Sequence, residues 1–128
     1  DSQGGIGCSR EIPKHIIASN SYRKYRWCTS HLRTFYAWMF KKIPKEEFID
    51  NNGKFFAMAW DLVFMQALVE FSHGKGKFIP DILYIYNTEN PIQDCKVNIK
   101  LQQATERIIR ARKPFLPLKD KNDIARRS

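Results

Sequence analysis

The chain has 128 residues, 43% of them hydrophobic and 13% aromatic, with a formal net charge of +9. That apolar content excludes wholesale disorder, and the length is one domain's worth. No apolar stretch reaches the roughly 18 residues that span a bilayer, no signal peptide is visible, and the three cysteines lack the C-x-x-C spacing of a zinc site or thioredoxin-like pair.

The opening Asp1-Ser2-Gln3-Gly4-Gly5 reads as the start of a piece cut from a longer chain. Ile12 to Ile17 predicts a short helix with Pro13 in its first turn, broken by Asn20-Ser21. Thr29 or Ser30 is a good N-cap for a second helix. Behind it Leu32, Phe35, Tyr36, Met39, Phe40 and Ile43 recur at helical spacing, and Pro44 ends the run. Asp50-Asn51-Asn52-Gly53 is a strong loop signal.

Asp61 to Ser72 predicts a helix that is apolar around most of its circumference, with Gly74 as its stop. Such a helix is normally buried. Phe78-Ile79 and Ile82 to Tyr86 read as strand, interrupted by Pro80-Asp81. After a loop, Asp94 is placed to cap a last helix, with Val97, Leu101, Ala104 and Ile108 on one face and Lys113-Pro114 as its end. Residues 115–128 form a basic tail, and the stretch from Pro114 onward reads as extended and mobile. Strand content is low for an independent α/β domain.

The chemistry centres on Phe55 to Met65. Asp61 directly follows an aromatic run and opens the apolar helix. A carboxylate in a first turn is favoured electrostatically, which explains Asp61 without any function. The functional alternative is a general base projecting into a cleft beside hydrophobic walls, within hydrogen-bond reach of a hydroxyl.

Four ordered segments carry a family resemblance. They are Thr29 to Phe35, Gly53 to Phe56 with Trp60 to Met65, Phe78 to Asn87, and Asn90 to Asp94. Their order and spacing resemble the C-terminal half of family 2 glycosyltransferases, over about Gly5 to Pro114. The resemblance implies an α/β chain: part of a GT-A, Rossmann-like fold, the helix-rich C-terminal portion with few strands. Residues 1–114 would be that portion and 115–128 the tail.

The resemblance further implies inverting transfer of a sugar from a nucleotide-sugar donor to a glycan or other hydroxyl acceptor. Asp61 matches the family's catalytic base, although Trp60 stands where a first acidic residue is usual. A divalent cation, Mg or Mn, is expected in the complete enzyme. Its main ligands would lie outside this chain, because no Asp-x-Asp occurs in these 128 residues. The donor half would likewise be missing N-terminal sequence. Cys95 stands where related sequences often carry His, and a thiolate is a poor ligand for Mg.

Trp60, His31 and Arg33 are the candidate acceptor-binding residues. Trp60 adjoins Asp61 and offers an aromatic face to sugar C–H groups; Trp27 and Trp38 are weaker candidates, with Trp38 near the apolar stripe. His31 and Arg33 sit near a predicted helix N-terminus, where they either face solvent or meet an anion. No metal ligands are assigned within the chain.

The charge balance permits other partners. An anionic membrane surface could meet the basic tail of a cytoplasmic protein, and Tyr22 to Trp27 interleaves basic and aromatic residues as nucleic-acid binders do. The alternative function is therefore a non-catalytic basic binding or structural module derived from a transferase domain.

Overall fold

The computed structural model describes residues 9–85, 87, 89–92 and 97–128. Its helices are α1 (Lys14–Ala18), α2 (Ala37–Phe40), α3 (Trp60–Ser72) and α4 (Ile99–Ala111), with single 3-10 turns at Tyr22–Lys24 and Lys45–Phe48. Among the described residues β pairing is confined to two isolated bridges, Ile49 with Phe55 and Phe115 with Arg127.

Everything packs around α3. Leu62, Val63, Met65, Ala67, Leu68 and Phe71 are all buried, which matches the expectation of a helix apolar on most sides. One apolar cluster joins Met65, Leu68 and Phe71 to Ile43, Phe115 and Leu118. A second joins Leu62 and Val63 to Phe56 and Ile109. The helix ends with His73 in the left-handed region at φ 43°, followed by Gly74 at φ 81°, so the stop falls where the glycine predicts it.

Two polar residues of α3 are also buried. Glu70 is fully buried and receives a bidentate bond from Arg23, with Nε to Oε1 at 2.6 Å and Nη2 to Oε2 at 2.9 Å. The N–H of Phe115 adds a third bond to Oε2 at 2.9 Å, and Arg23 Nη1 donates to the Ile109 carbonyl at 2.8 Å. Burial pushes the Glu70 carboxyl upward, and the Arg23 guanidinium opposes that push.

Arginines do here what a sheet ladder does elsewhere, because buried or half-buried carbonyls must find donors. Arg110 donates to the carbonyls of Tyr25 at 2.6 Å and Arg23 at 3.0 Å. Arg112 donates to those of Glu47 and Ile49, each at 2.6 Å. Arg127 bonds the Lys113 carbonyl and the Glu47 carboxylate. Much of the basic excess near the C-terminus thus ties loops to helices.

Four expectations differ from the structure. The helix predicted from Thr29 or Ser30 onward is helical only from Ala37 to Phe40, with Leu32 and Tyr36 60% and 72% exposed. In a continuous helix the Thr29 carbonyl would accept the Arg33 backbone N–H. Instead it accepts Arg33 Nη1 at 2.8 Å, and the chain stays irregular. Residues 78–85 are not paired as a strand; Ile82 and Ile85 are 81% and 74% exposed. A strand needs a neighbour for its backbone groups, and no described segment supplies one.

The stretch from Pro114 is not a free tail. Phe115 is 2% exposed, Leu118 donates its N–H to the Phe71 carbonyl at 3.1 Å, and Asn20 Nδ2 bonds the Phe115 carbonyl at 2.9 Å. On α4 the buried residues are Thr105 and Ile109, whereas Leu101 and Ile108 are exposed, as is Val97 just before the helix. The inward face is therefore rotated about one residue from the face the apolar pattern suggests. The call of Asp94 as the cap falls outside the described residues, as does Cys95; the helix begins behind Asn98.

Among the described residues no helix is long and apolar enough to cross a membrane.

Candidate functional site

Asp61 lies in the first turn of α3. The residue before the helix proper, Ala59, takes a left-handed conformation at φ 61°. That backbone region is unfavourable for a residue with a Cβ and costs about 1–3 kcal/mol. The tight entry lets Ala59 accept the N–H groups of both Leu62 and Val63 at 3.1 and 3.2 Å. Ala59 itself makes no side-chain cap bond.

The Asp61 carboxylate is held from two sides. Oδ1 accepts the Leu62 N–H at 2.9 Å. Oδ2 accepts Arg33 Nη2 at 3.0 Å. The Asp61 side chain is 46% exposed and that of Arg33 only 12%. The guanidinium lies 5.9 Å from the ring centroids of both Trp27 and Phe64, so its position is set by packing as well as by charge. It is anchored also to the Thr29 carbonyl at 2.8 Å.

Beside Asp61 lies a cleft of about 120 Å³, lined by Trp27, Ala59, Asp61, Leu62, Gln102 and Glu106. Glu106 is paired with Arg110, one turn on, at 2.7 Å. The Gln102 Oε1 is buried and has no protein partner. Each carboxylate in the cleft therefore has its own guanidinium. The wall offers hydrogen-bond acceptors without a net negative charge, next to one aromatic side chain. Such a lining suits a neutral ligand that donates hydrogen bonds and carries an apolar face.

The structure pairs Arg33 with Asp61 but leaves all three predicted acceptor residues, Trp60, His31 and Arg33, outside the cleft lining. Trp60 stacks on Phe55 at 5.8 Å and 21°, with Phe48 also at 5.8 Å, and is 43% exposed. The His31 ring lies 5.3 Å from that of Tyr84. Neither His31 nor Arg33 sits at a helix N-terminus, because the segment that carries them is irregular. Trp38 packs against the apolar core.

Trp27 is the aromatic residue in the cleft, and Gln102 and Glu106 complete it. Trp27 shows in the sequence as a weaker acceptor candidate at the end of the basic and aromatic stretch from Tyr22. Gln102 and Glu106 gave no signal: they sit on a remote helix, and Glu106 with Arg110 reads as an ordinary surface pair. Among the described residues no three of His, Cys, Asp and Glu converge to hold a metal.

No protein-family model, curated protein or solved structure matches this chain.

Proposed function

We propose that this chain is the acceptor-side part of an inverting, family 2-type glycosyltransferase, with Asp61 as its general base. The observation that carries the proposal is the Asp61 carboxylate itself, half exposed on the wall of a cleft beside Trp27. A carboxylate offers about four acceptor directions. The Leu62 N–H and Arg33 occupy two, so an incoming hydroxyl has room to bond.

In this reading the acceptor hydroxyl donates to Asp61 and lies with its sugar or alkyl face along Trp27. Gln102 Oε1 and Glu106 take neighbouring hydroxyls. As the oxygen attacks the anomeric carbon, its proton passes to Asp61 and the nucleoside diphosphate departs from the opposite face. Arg33 orients the carboxylate. A divalent cation would neutralise the leaving diphosphate, held by the donor-side half that carries the family's Asp-x-Asp.

The runner-up, a basic binding or structural module, draws on the net charge of +9. It loses ground because Arg23, Arg110, Arg112 and Arg127 are spent on internal carbonyls and carboxylates.

The test uses the complete gene product, assayed for nucleoside diphosphate release from nucleotide sugars in the presence of hydroxyl acceptors. Asp61→Asn should lower turnover by about 10²-fold or more, the usual contribution of a positioned base, with unchanged thermal unfolding. Turnover near wild type would remove the base assignment. The 128-residue chain alone should release no diphosphate. Strong, salt-sensitive binding of oligonucleotides or anionic vesicles would favour the runner-up.

A further inference from the structure

A strip of aromatic rings links the region of α2 to the start of α3. Phe35 stacks on Phe40 with ring centroids 6.1 Å apart, Phe40 meets Phe48 at 6.1 Å, and Phe48 meets Trp60 at 5.8 Å. Trp60 in turn stacks on Phe55 at 5.8 Å. Phe48 is half-buried, and the other four rings are 38% to 52% exposed. Large apolar groups scattered singly over a surface need no explanation, but linked ones mark a face that meets another body.

Lysines border the strip. Lys41 and Lys42 follow Phe40 in the chain, Lys54 precedes Phe55, and Lys45 Nζ lies 5.7 Å from the Phe55 ring centroid. Among the described residues none of these four lysines enters a side-chain ion pair. Glu47, a carboxylate of the same stretch, is buried against Arg112 and Arg127 and offsets none of their charge. Only Glu46 and Asp50 remain beside them, so the border is positive.

We propose that this face docks on an anionic lipid bilayer. The rings enter the boundary between headgroups and acyl chains, where interfacial proteins place Trp and Phe. The lysines reach the anionic headgroups while their stems lie along apolar surface. Two features select a bilayer over other occupants. The core of a protein interface is depleted in lysine, yet here Lys45 sits over an exposed ring. Single-stranded nucleic acid needs open ring faces on which bases stack, yet these rings lie against one another. The face is also distinct from the C-terminal segment, where Arg112 and Arg127 are bound internally. The argument does not depend on the transferase reading.

Vesicle flotation of the complete gene product tests the proposal, using phosphatidylcholine vesicles with and without phosphatidylglycerol. The protein should float with the anionic vesicles only. High salt should weaken that binding without abolishing it, because salt screens the lysines and leaves ring insertion intact. Lipids brominated on their acyl chains should quench tryptophan fluorescence, and Trp60→Phe should remove much of the quenching while flotation persists. Lys41→Gln with Lys45→Gln should weaken binding about tenfold or more. Phe55→Gln should weaken it in high salt as well, and the lysine pair serves if this variant does not fold. Absence of flotation would overturn the proposal. So would binding that vanishes in high salt and ignores Phe55→Gln, since that is charge alone. Oligonucleotide binding weakened equally by the same substitutions would overturn it too.

Discussion

Arg23 and Glu70 meet as a closed fork inside the protein, their side chains 3% and 0% exposed and their nearest atoms 2.6 Å apart. The pair joins the 3-10 turn after α1 to the last turn of α3, and through Phe115 and Ile109 it reaches the C-terminal segment and α4.

Removing one half of this fork leaves the other charge buried. Arg23→Met should destabilise the chain by about 3–5 kcal/mol. Replacing both partners, Arg23→Met with Glu70→Leu, should cost less than the single change, because no uncompensated charge remains. Urea unfolding of both variants checks this. A double variant less stable than the single one would show that the fork stabilises beyond its own desolvation.

Phe115 is the clearest anchor of the C-terminal segment. Phe115→Ala should cost about 3–5 kcal/mol by opening a cavity against Phe71. Ile124→Ala, at a residue 65% exposed, should stay within about 0.5 kcal/mol of wild type. Thermal unfolding separates the two. Equal effects would mean that the segment does not pack as described.

In the pair of Arg33 and Asp61 the carboxylate is 46% exposed but the guanidinium only 12%. Arg33→Met leaves the Thr29 carbonyl without its donor and should lower unfolding free energy by about 1–3 kcal/mol, read by urea unfolding. Under the proposed transferase reading it should lower transfer more than Trp60→Leu does, since neither residue lines the cleft but Arg33 holds the Asp61 carboxylate. Comparison of the two variants' diphosphate release decides the matter.

Asp50 gives a pH signature. The N–H of Lys54, joined by that of Asn52, holds its carboxyl below the ordinary value of 3.8. A depressed folded value means that the stabilising contribution is complete above the unfolded value and is lost as pH falls through the folded one. The amide resonances of Asn52 and Lys54 should therefore titrate with a midpoint below 3.8. A midpoint at or above that value would show that the turn bonds do not persist.

At Gly74 the backbone lies at φ 81°, and an added Cβ would come within 2.8 Å of Ile17 Cγ2. Gly74→Ala should destabilise by roughly 1–2 kcal/mol from the left-handed conformation alone. Gly76→Ala meets nothing within 4 Å and serves as the control in the same denaturation series.

The sequence makes α3 legible because its signals agree: an acidic start, an apolar circumference and a glycine stop. Asp61 is legible for the same reason. The irregular segment before α2 is not, since its apolar spacing is helical while Arg33 spends its guanidinium on the Thr29 carbonyl and on the distant Asp61. The true inner face of α4 is hidden too: Thr105 is buried through its surroundings while the more apolar Leu101 and Ile108 face out. The cleft residues Gln102 and Glu106 are brought near Asp61 only by packing, and no local pattern marks them as site residues.

The bond from the Phe115 N–H to Glu70 also has a consequence for biosynthesis. A nascent chain threads out of the ribosome from its N-terminus, and the central ion pair exposes a lone pair of Glu70 until residue 115 emerges. Completion of the interior must therefore wait for that late arrival, and a translational stall just before it would present chaperones with an unfinished, apolar intermediate.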